Sequence, residues 1–549
     1  ALMRIATMLK YYHNLEDIGL DEIGKTIVEE NIYGVDALRY ASQITAINLA
    51  LIAPSTTAKE NVYTIYLGYI PGKNRAWLGS LELLNNTKKV GGILAYIKGG
   101  LKGVAERITV EDAEGVFSIP SRLDMIIMNP PFTRPTYRGK VKVPEEKRGL
   151  FGFISDEKVR DELRKRYKEI IESVTTGLRN IAEAGIDNEL SGVPSEIKAL
   201  IKGAEDEKLR QYLNVGLAGE ALPFLYLAYK YVNEDGVIAF VLPRAVLAGV
   251  SWFLARTLLA SKFHLKYVIV SSDPEGGYNF SEGTSLSEAL VIAKRVQGHD
   301  PSEETVFVIL TRKPRTSLEG VLTGEEIARV GRRGGIGVSR GGIEFVVRRV
   351  RRDTLLKYID NWNRFVAIPE PVLGDHVFKL MEEGVITVGR YSVKVPLTRL
   401  GKILKTIHVG RKRGEKVVEA PVKAIGVDAH QFYDLFVQTS SSPYPALIGT
   451  EERFRKTMRI RPNSYIAPKS EKVKEKAIKT FEDFAGRILI PGVNIWWNTS
   501  HVIALYSEER MLSNTHYAVK LDVPPDVEPY AEKALVLWFN TAWGLLTML

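Results

Sequence analysis

The chain has 549 residues, a formal net charge of +10 at pH 7 and no cysteine. This length exceeds one ordinary domain, and the lack of cysteine excludes disulfides and thiolate metal sites. Neither an uncharged apolar run of about 18 residues nor a signal-peptide pattern is present, so we expect a cytoplasmic protein without a membrane span. The positive charge suits a polyanionic partner, although solubility alone would also explain it.

Up to residue 313 the chain alternates strand-like and helix-like stretches. Strands that alternate with helices predict an α/β fold with a doubly wound, mostly parallel sheet. The expected strands are at residues 31–35, 76–78, 124–128, 236–243, 265–271, 286–293 and 305–310, and the expected helices are at residues 37–51 and 246–260.

Changes in composition and periodicity divide the chain further. An insertion with helical apolar spacing is either a cap beside the functional site or a solvated addition. A later stretch is rich in Gly and Arg and has weak strand periodicity, which favours a linker. We therefore expect a first domain at residues 1–313, with the helical insertion at 133–215, a linker at 314–345, and a mixed α+β domain at 346–549.

The segment LDMIIMNPPF, residues 123–132, is the most informative part of the chain. It predicts a buried strand that ends at Asn129, Pro130, Pro131 and Phe132. The Asn129 side-chain oxygen and the Pro130 carbonyl can accept both N–H bonds of an amine on a planar ring, which lets the nitrogen become more tetrahedral as it attacks. The prolines stiffen the turn, and Phe132 offers a ring for a base to stack on. The alternative is a strand that ends in a proline turn and has no catalytic role.

The sequence DMIIMNPPF resembles the catalytic motif of the S-adenosylmethionine-dependent amino-methyltransferases that act on N6 of adenine. RNA methyltransferases and enzymes that methylate protein glutamine share its tetrapeptide. The resemblance implies a Rossmann-like methyltransferase sheet and S-adenosylmethionine as cofactor. It also implies direct transfer of the methyl group to the amine, without a metal ion.

Two further segments resemble the cofactor site of this family. Asp36 stands at the end of a predicted strand, where an acidic residue binds the cofactor ribose in the family, and Ala37 follows it. The sequence Gly79-Ser80-Leu81 stands where the family has Gly-Asp-Ser/Thr-Leu, and the acid is missing. The resemblance implies cofactor binding by Asp36, Ala37, Ser80 and Leu81. The alternative for Asp36 is a plain helix N-cap.

The start of the chain departs from the family. The sequence ALMRIATML, residues 1–9, resembles the helix that follows the family's Gly-rich cofactor loop, and no convincing Gly-rich turn replaces that loop elsewhere. The family's first strand lies between its second and fourth strands, so a sheet without it leaves backbone groups unpaired. We therefore expect that an N-terminal segment or another polypeptide supplies this first strand.

A later run, YNFSEGTSLSEALVIAKR at residues 278–295, resembles a family element in which a Phe packs edge-on against the flipped base. Phe280 is the matching residue. A pocket walled by Phe132 and Phe280 would offset part of the cost of unstacking the base. The alternative for Phe280 is a hairpin-tip aromatic in a minor core, and for Phe224, in the preceding helix, a core position is favoured over cofactor contact.

Clusters of Arg and Lys with interspersed aromatic residues characterise the C-terminal half. Such residues can neutralise phosphates, although a charge run is usually a solvated face. Residues 395–404, 486–505 and 533–549 resemble target-recognition regions of restriction-modification methyltransferases. The residues predicted to bind DNA are Arg348, Arg349, Arg411, Lys412, Arg413, Arg455 and Arg459.

Together these features indicate a DNA adenine-N6 methyltransferase of a restriction-modification or related phage-defence system. Its expected partners are double-stranded DNA and other restriction or defence subunits. Two alternatives stay open. One is the same chemistry on RNA adenine, and the other is a DNA-binding or assembly subunit whose cofactor site has decayed.

Overall fold

Backbone contacts in the computed structural model divide the chain into two compact units, Ala1–Pro371 and Val372–Leu549. No described helix is long and apolar enough to cross a membrane. The structure describes residues 20–53, 61–70, 75–84, 87–90, 107–111, 116–131, 157–202, 215–281, 286–370, 372–374, 376–377, 380, 385–388, 391–394, 422–425, 429–449, 457–491, 504–521 and 524–541.

Three small sheets come first along the first unit. One is a parallel pair, one is an antiparallel hairpin, and one has three antiparallel strands. The pair consists of β1 (Tyr33–Asp36) and β2 (Asn61–Thr64), the hairpin of β3 (Leu67–Ile70) and β4 (Arg75–Leu78), and the third sheet of β5 (Thr87–Val90), β6 (Arg107–Glu111) and β7 (Val116–Pro120).

A seven-stranded sheet forms the centre of the first unit. Its strands are β8 (Leu123–Met128), β9 (Val232–Pro243), β10 (Phe263–Ser271), β11 (Glu288–Arg295), β12 (Glu304–Leu310), β13 (Gly335–Val338) and β14 (Glu344–Arg351). They lie in the order β13-β14-β12-β10-β11-β9-β8, so β8 and β13 are the edge strands among the residues that the structure describes.

The strand directions make this sheet mixed. β8 pairs with β9 in parallel, and β10 pairs with β12 in parallel. β11 lies antiparallel between β9 and β10, and β14 lies antiparallel beside β12. The α/β class is therefore confirmed, whereas the expected mostly parallel arrangement is interrupted at β11 and β14. The segment between β10 and β11 shows turns and no helix among its described residues, so the chain returns antiparallel.

Eight helices of the first unit are described. Several short 3-10 turns accompany them, of which Gly79–Leu84 and Arg244–Leu247 matter for the candidate site. The helices are α1 (Leu20–Thr26), α2 (Arg39–Ile52), α3 (Glu157–Gly185), α4 (Ser195–Lys202), α5 (Ala221–Tyr231), α6 (Phe253–Lys262), α7 (Ser317–Val330) and α8 (Arg352–Lys357).

Helix α3 is the main element of the predicted insertion, and it packs as a core helix. Its buried residues recur every three or four positions, which places them on one face. Gly177 allows a close approach to α5, since a Cβ added there would lie 2.1 Å from the Tyr226 hydroxyl oxygen. The alternative of a solvated addition is therefore wrong for this helix. The buried face consists of Leu163, Tyr167, Ile170, Val174, Leu178 and Ala182.

The segment 314–345, predicted as a linker, contains α7 and β13. The Thr316 side chain accepts a hydrogen bond of 3.1 Å from the Glu319 backbone N–H and so caps α7. β13 pairs antiparallel with β14, which extends the sheet of the first unit to residue 351. The division between the two units falls after Pro371.

The second unit contains its own seven-stranded sheet, in the order β17-β23-β21-β22-β19-β20-β18, and a separate hairpin of β15 and β16. Phe432, Phe436 and Leu512 lie in one of its buried clusters. The strands are β15 (Val385–Val388), β16 (Tyr391–Lys394), β17 (Val422–Ile425), β18 (Phe436–Thr439), β19 (Pro445–Leu447), β20 (Ser464–Pro468), β21 (Gly486–Pro491), β22 (Leu505–Ser513) and β23 (His516–Leu521), and the helices are α9 (Ala429–Leu435), α10 (Lys474–Phe484) and α11 (Glu528–Phe539).

Candidate functional site

Asn129 follows directly after β8, at the carboxyl end of a strand that runs parallel to β9. Ligands of open α/β sheets bind at this edge. Asn129 is exposed, Pro130 is buried and Pro131 is half-buried. Phe132 lies outside the described residues. The turn thus presents an amide side chain at the surface while a proline anchors it from within.

Among the described residues, the side chain of Asn129 contacts one hydroxyl group. Asn129 Nδ2 donates to Ser281 Oγ over 3.1 Å, and Ser281 Oγ lies 3.3 Å from Asn129 Oδ1, to which it can donate. Ser281 belongs to the loop that leads into β11. The predicted amine-binding turn and the run at residues 278–295 are therefore in contact, although 152 residues separate the two side chains.

A buried carboxylate holds this loop. Glu288, the first residue of β11, is fully buried, and its Oε2 accepts backbone N–H bonds from Phe280 (2.5 Å) and Ser281 (2.8 Å). The Asn279 side chain donates to the Ser281 carbonyl over 2.5 Å. Glu288 also lies opposite Pro243 in the sheet, so the loop is tied to the framework of strands.

A half-buried arginine lies at the same edge. Arg244 follows β9, and its Nε donates to Asn363 Oδ1 (2.9 Å) while its Nη2 donates to the Val366 carbonyl (3.1 Å). Burial lowers the pKa of Arg244 to about 10, and the phenol of Tyr278 acts in the opposite direction. Arg244 therefore stays charged at neutral pH, and its contacts fix the end of β9.

The two segments predicted to bind cofactor lie side by side. Gly79 has φ +60°, and a Cβ added there would lie 3.1 Å from the Cβ of Ala37. Ser80 is half-buried and Leu81 is buried in the adjoining 3-10 turn. Asp36 Oδ1 accepts the Leu38 N–H over 2.7 Å, but the N-cap residue of α2 is Leu38 rather than Asp36. The plain N-cap interpretation of Asp36 is therefore wrong.

An acid is present two residues after Ser80. Glu82 is fully buried, and its carboxylate accepts the Leu78 N–H (2.9 Å) and pairs with Arg166 of α3, where Nη1 lies 2.8 Å from Oε1 and Nη2 lies 3.0 Å from Oε2. This two-point ion pair links the core helix of the insertion to the 3-10 turn that contains Ser80. Its contacts identify Glu82 as a structural residue of that turn.

One hydrophobic cluster joins the two halves of the candidate site. It contains buried Ile65, Leu83, Ile119 and Leu227. Val35, the residue before Asp36, and Met128, the residue before Asn129, both pack against it. The ends of β1 and β8 therefore share one core. Phe224 packs against the same cluster, which agrees with the core position favoured for it.

Phe280 packs partly against a different cluster. That cluster contains Ile269, Val308 and Leu310 of the central sheet, together with residues of α7 and β14. Phe280 thus has core contacts, as its alternative interpretation requires, while its neighbour Ser281 faces Asn129. Because Phe132 lies outside the described residues, the pocket predicted between the two rings stays a prediction.

Three of the predicted DNA-binding residues are described, and each has partners within the chain. Arg348 donates to the carbonyls of Phe365 and Glu370. Arg349 pairs with Glu304, and both arginines belong to β14 of the first unit. Arg459, in the second unit, pairs with Glu508 at 2.9 Å on an exposed surface. The other residues predicted to bind DNA lie outside the described part of the chain. They are Arg411, Lys412, Arg413 and Arg455.

Sequence reasoning missed Ser281, Glu288 and Arg244 as members of the site. Glu288 is an isolated acid at the start of an apolar run, and that pattern was the available signal. Within the described ranges, no group of three or more His, Cys, Asp or Glu side chains is arranged to hold a metal ion.

The sequence matches no family model, and it matches no curated protein either. Its structural neighbours include restriction-modification proteins. One is the type IIG restriction endonuclease BpuSI, with 14% identity over 65% of this chain and 42% of that chain and a TM-score of 0.24. A second is the type I restriction-modification methyltransferase subunit from Streptococcus thermophilus, with 13% identity, 62% and 55% coverage and a TM-score of 0.27.

A third neighbour is a nuclease-deletion mutant of the type ISP restriction-modification enzyme LlaGI, in complex with a DNA substrate mimic. It is 15% identical over 56% of this chain and 20% of that chain, with a TM-score of 0.27. The chain thus spans less than two thirds of the length of each of these three proteins.

Proposed function

We propose that this protein transfers a methyl group from S-adenosylmethionine to N6 of adenine in DNA, within a restriction-modification or related defence system. One observation supports this most directly. The Asn129 amide is exposed at the carboxyl end of β8, next to buried Pro130 and within hydrogen-bond distance of the loop before β11. These are the residue types and the position that amine methylation at a sheet edge requires.

The chain's own residues would act on the amine. Asn129 Oδ1 and the Pro130 carbonyl accept its two N–H bonds, which localises the nitrogen lone pair and aims it away from the ring plane. Pro130 is buried, and its ring fixes φ, so the turn that bears this carbonyl is stiff. The amine loses one proton to solvent as the new N–C bond forms. Phe132 and Phe280 would hold the flipped base.

The residues around Asp36 fit a nucleoside. One oxygen of the Asp36 carboxylate holds the Leu38 N–H, and among the described residues its other oxygen has no hydrogen-bond partner, so it can accept from ribose hydroxyls. Ala37 follows it and is closely approached by Gly79, which begins the turn that contains Ser80 and Leu81. When bound, S-adenosylmethionine supplies an electrophilic methyl group, and its sulfur keeps the electron pair of the broken bond.

The central sheet has an open edge in the described part of the chain. No described strand pairs with the outer side of β8, and its Met125 and Ile127 are 60% and 73% exposed. Apolar residues on an unpaired edge strand favour pairing with another strand. A further extended polypeptide segment with alternating apolar residues would lie beside β8, between it and β1, and would bring the Gly-rich loop that the cofactor needs.

Helix α2 gives a second reason for this segment. Its exposed apolar residues are spaced by three and four positions, so they form one face, and exposed apolar faces of this size mark contact surfaces. An apolar segment beside β1 would cover them. The residues are Tyr40, Ile44, Ile47 and Leu51, which are between 55% and 73% exposed.

A methyl-transfer assay with radiolabelled donor tests the proposed function. The protein, expressed together with the neighbouring genes of its own genome, is given duplex DNA and structured RNA in parallel. We expect label in N6-methyladenine of the DNA only. Label in RNA alone would support the RNA alternative instead. If calorimetry detects no S-adenosylmethionine binding to the same preparation, the protein is a DNA-binding or assembly subunit with a decayed cofactor site.

A variant pair makes this assay specific. Asn129→Ala removes one acceptor of the amine and should lower kcat by about 10²–10³-fold, with DNA affinity unchanged. Asn233→Ala is the matched control, because Asn233 bonds Asp124 (2.9 Å) at the opposite end of the β8–β9 pair. Equal activity of the two variants would remove Asn129 from the catalytic site.

A further inference from the structure

The Asn129 amide must face the substrate with its oxygen and not with its nitrogen. Rotation of the amide by 180° exchanges an acceptor for a donor, and a donor would repel the N–H bonds of the amine. A neighbouring group that accepts from Nδ2 holds the orientation in which Oδ1 is available. Ser281 Oγ lies 3.1 Å from Nδ2, from which it accepts, and 3.3 Å from Oδ1, to which its O–H can donate until an amine takes that place.

The backbone of Ser281 is held by hydrogen bonds at both its N–H and its carbonyl. Its backbone N–H donates to fully buried Glu288, and its carbonyl accepts from Asn279. Glu288 also receives the Phe280 N–H and belongs to a strand inside the sheet. A carboxylate that accepts two backbone N–H bonds makes a stiffer support than a neutral acceptor.

We propose that Ser281 is a positioning residue that fixes the orientation of the Asn129 amide, and that Glu288 places Ser281 for this task. Contact runs from Glu288 through Ser281 to Asn129, and so from β11 to the end of β8. The inference rests on the proposed function, since it assigns the role that Ser281 has in amine binding. Ser281 touches the side chain of Asn129 and acts through it.

Three variants of Ser281 and Glu288 test this inference in steady-state methyl transfer with the co-expressed protein. Ser281→Ala should lower kcat about tenfold, the effect of one lost hydrogen bond, and leave KM for DNA unchanged. Ser281→Thr keeps a hydroxyl and should retain kcat within about threefold. Glu288→Gln keeps a neutral acceptor for both N–H groups and should fall between them. Ser302→Ala, in an exposed turn, is the matched control.

The outcomes separate this inference from the proposed function. A wild-type protein that methylates DNA, together with an unchanged kcat in Ser281→Ala, would refute the positioning role and leave the function intact. Equal losses in Ser281→Ala and Ser281→Thr would also refute it, because the hydroxyl would then not be what matters. A loss that appears in KM rather than kcat would indicate a merely structural role.

An NMR measurement tests the contact between Ser281 and Asn129 without an activity assay. In protein with ¹⁵N-labelled asparagine, the side-chain NH₂ signal of Asn129 is identified by its disappearance in Asn129→Asp. Ser281→Ala should shift this signal, and Ser281→Thr should leave it close to the wild-type position. An Asn129 signal that is the same in wild type and in Ser281→Ala would show that the contact does not form, and would overturn the inference whatever the reaction.

Discussion

Burial of His516, at the start of β23 in the second unit, changes its proton affinity. The residue is 6% exposed, and burial lowers the pKa of its imidazole to about 4. In the unfolded chain the same group titrates near 6.5. The folded state therefore binds fewer protons than the unfolded state between these two values, and folding stability must depend on pH there.

The direction follows from the lowered pKa. Above about pH 6.5, His516 is neutral in the folded and unfolded states and does not change the unfolding free energy. As the pH falls toward about 4, the unfolded state binds a proton that the folded state does not bind, so the unfolded state is stabilised. We expect a loss of about 3 kcal/mol of unfolding free energy across this window. Urea unfolding of wild type and His516→Gln as a function of pH would measure it, with a flatter curve for the variant.

A matched histidine provides the control for this prediction. His376 is exposed, so His376→Gln should follow the wild-type pH dependence. If His516→Gln and wild type lose the same free energy between neutral and acidic pH, the buried imidazole does not contribute.

Single residues of the site were predictable only where a local pattern identified them. Asn129 and Pro130 were found because an apolar strand leads directly into them. Ser281 could not be found in this way, because its role depends on a contact across 152 residues of sequence. For Glu288 the sequence offered one signal, a single acid at the start of an apolar run, but that pattern does not show that the side chain is buried and accepts two backbone N–H bonds.

At the scale of elements, the ion pair between α3 and the 3-10 turn at Gly79–Leu84 is open to a direct test. Glu82 is fully buried, and the Arg166 side chain is 18% exposed. Arg166→Ala removes both charge-assisted hydrogen bonds from a buried carboxylate and should lower the unfolding free energy by about 3 kcal/mol. Because the turn also contains Ser80, we expect weaker binding of S-adenosylmethionine, measured by calorimetry.

A second ion pair on the same helix is the control. Arg164 pairs with Asp161 at 2.8 Å, and the Arg164 and Asp161 side chains are 37% and 65% exposed. Arg164→Ala should cost less than about 1 kcal/mol, since solvent screens such pairs. A similar loss of stability in both variants would mean that Arg166 contributes no more than a surface charge.

Elements with regular apolar spacing were predictable, and elements rich in glycine were not. Residues 156–181 show helical periodicity, and α3 occupies Glu157–Gly185. β13 has the sequence GIGV, which gave no strand signal. Its Gly337 is needed because a Cβ there would lie 2.4 Å from the ring of Phe345 on the paired strand. Close packing against Phe345 thus requires glycine at position 337. The glycine-rich sequence gave no strand pattern, so this segment was predicted as a linker.

At the scale of the whole molecule, the open edge of β8 can be tested by thiol labelling. The sequence has no cysteine, so an introduced cysteine is the one thiol that reacts. Met125→Cys introduces a single thiol on the exposed side of β8. In the 549-residue chain expressed alone, a maleimide should modify it rapidly. Expression together with the neighbouring genes of its genome should slow the reaction by about tenfold or more, because a paired strand protects its neighbours from solvent.

The control is an exposed thiol in the second unit. Tyr530 of α11 is 76% exposed, so Tyr530→Cys should react at the same rate in both preparations. If co-expression leaves the labelling rate of Met125→Cys unchanged, no additional segment covers β8. Mass spectrometry of the co-expressed preparation would identify the protecting polypeptide when labelling does slow.

β11 lies between β9 and β10 in the sheet, yet it follows both of them along the chain. During synthesis, β9 and β10 therefore cannot join into one sheet until residue 295 has left the ribosome. The strand that joins them begins with Glu288, so the junction of β9 with β10 and the loop that holds Ser281 form in one event. A nascent chain that stalls before β11 would expose two unpaired strand edges, and such a chain is the kind of intermediate that chaperones retain and proteases remove.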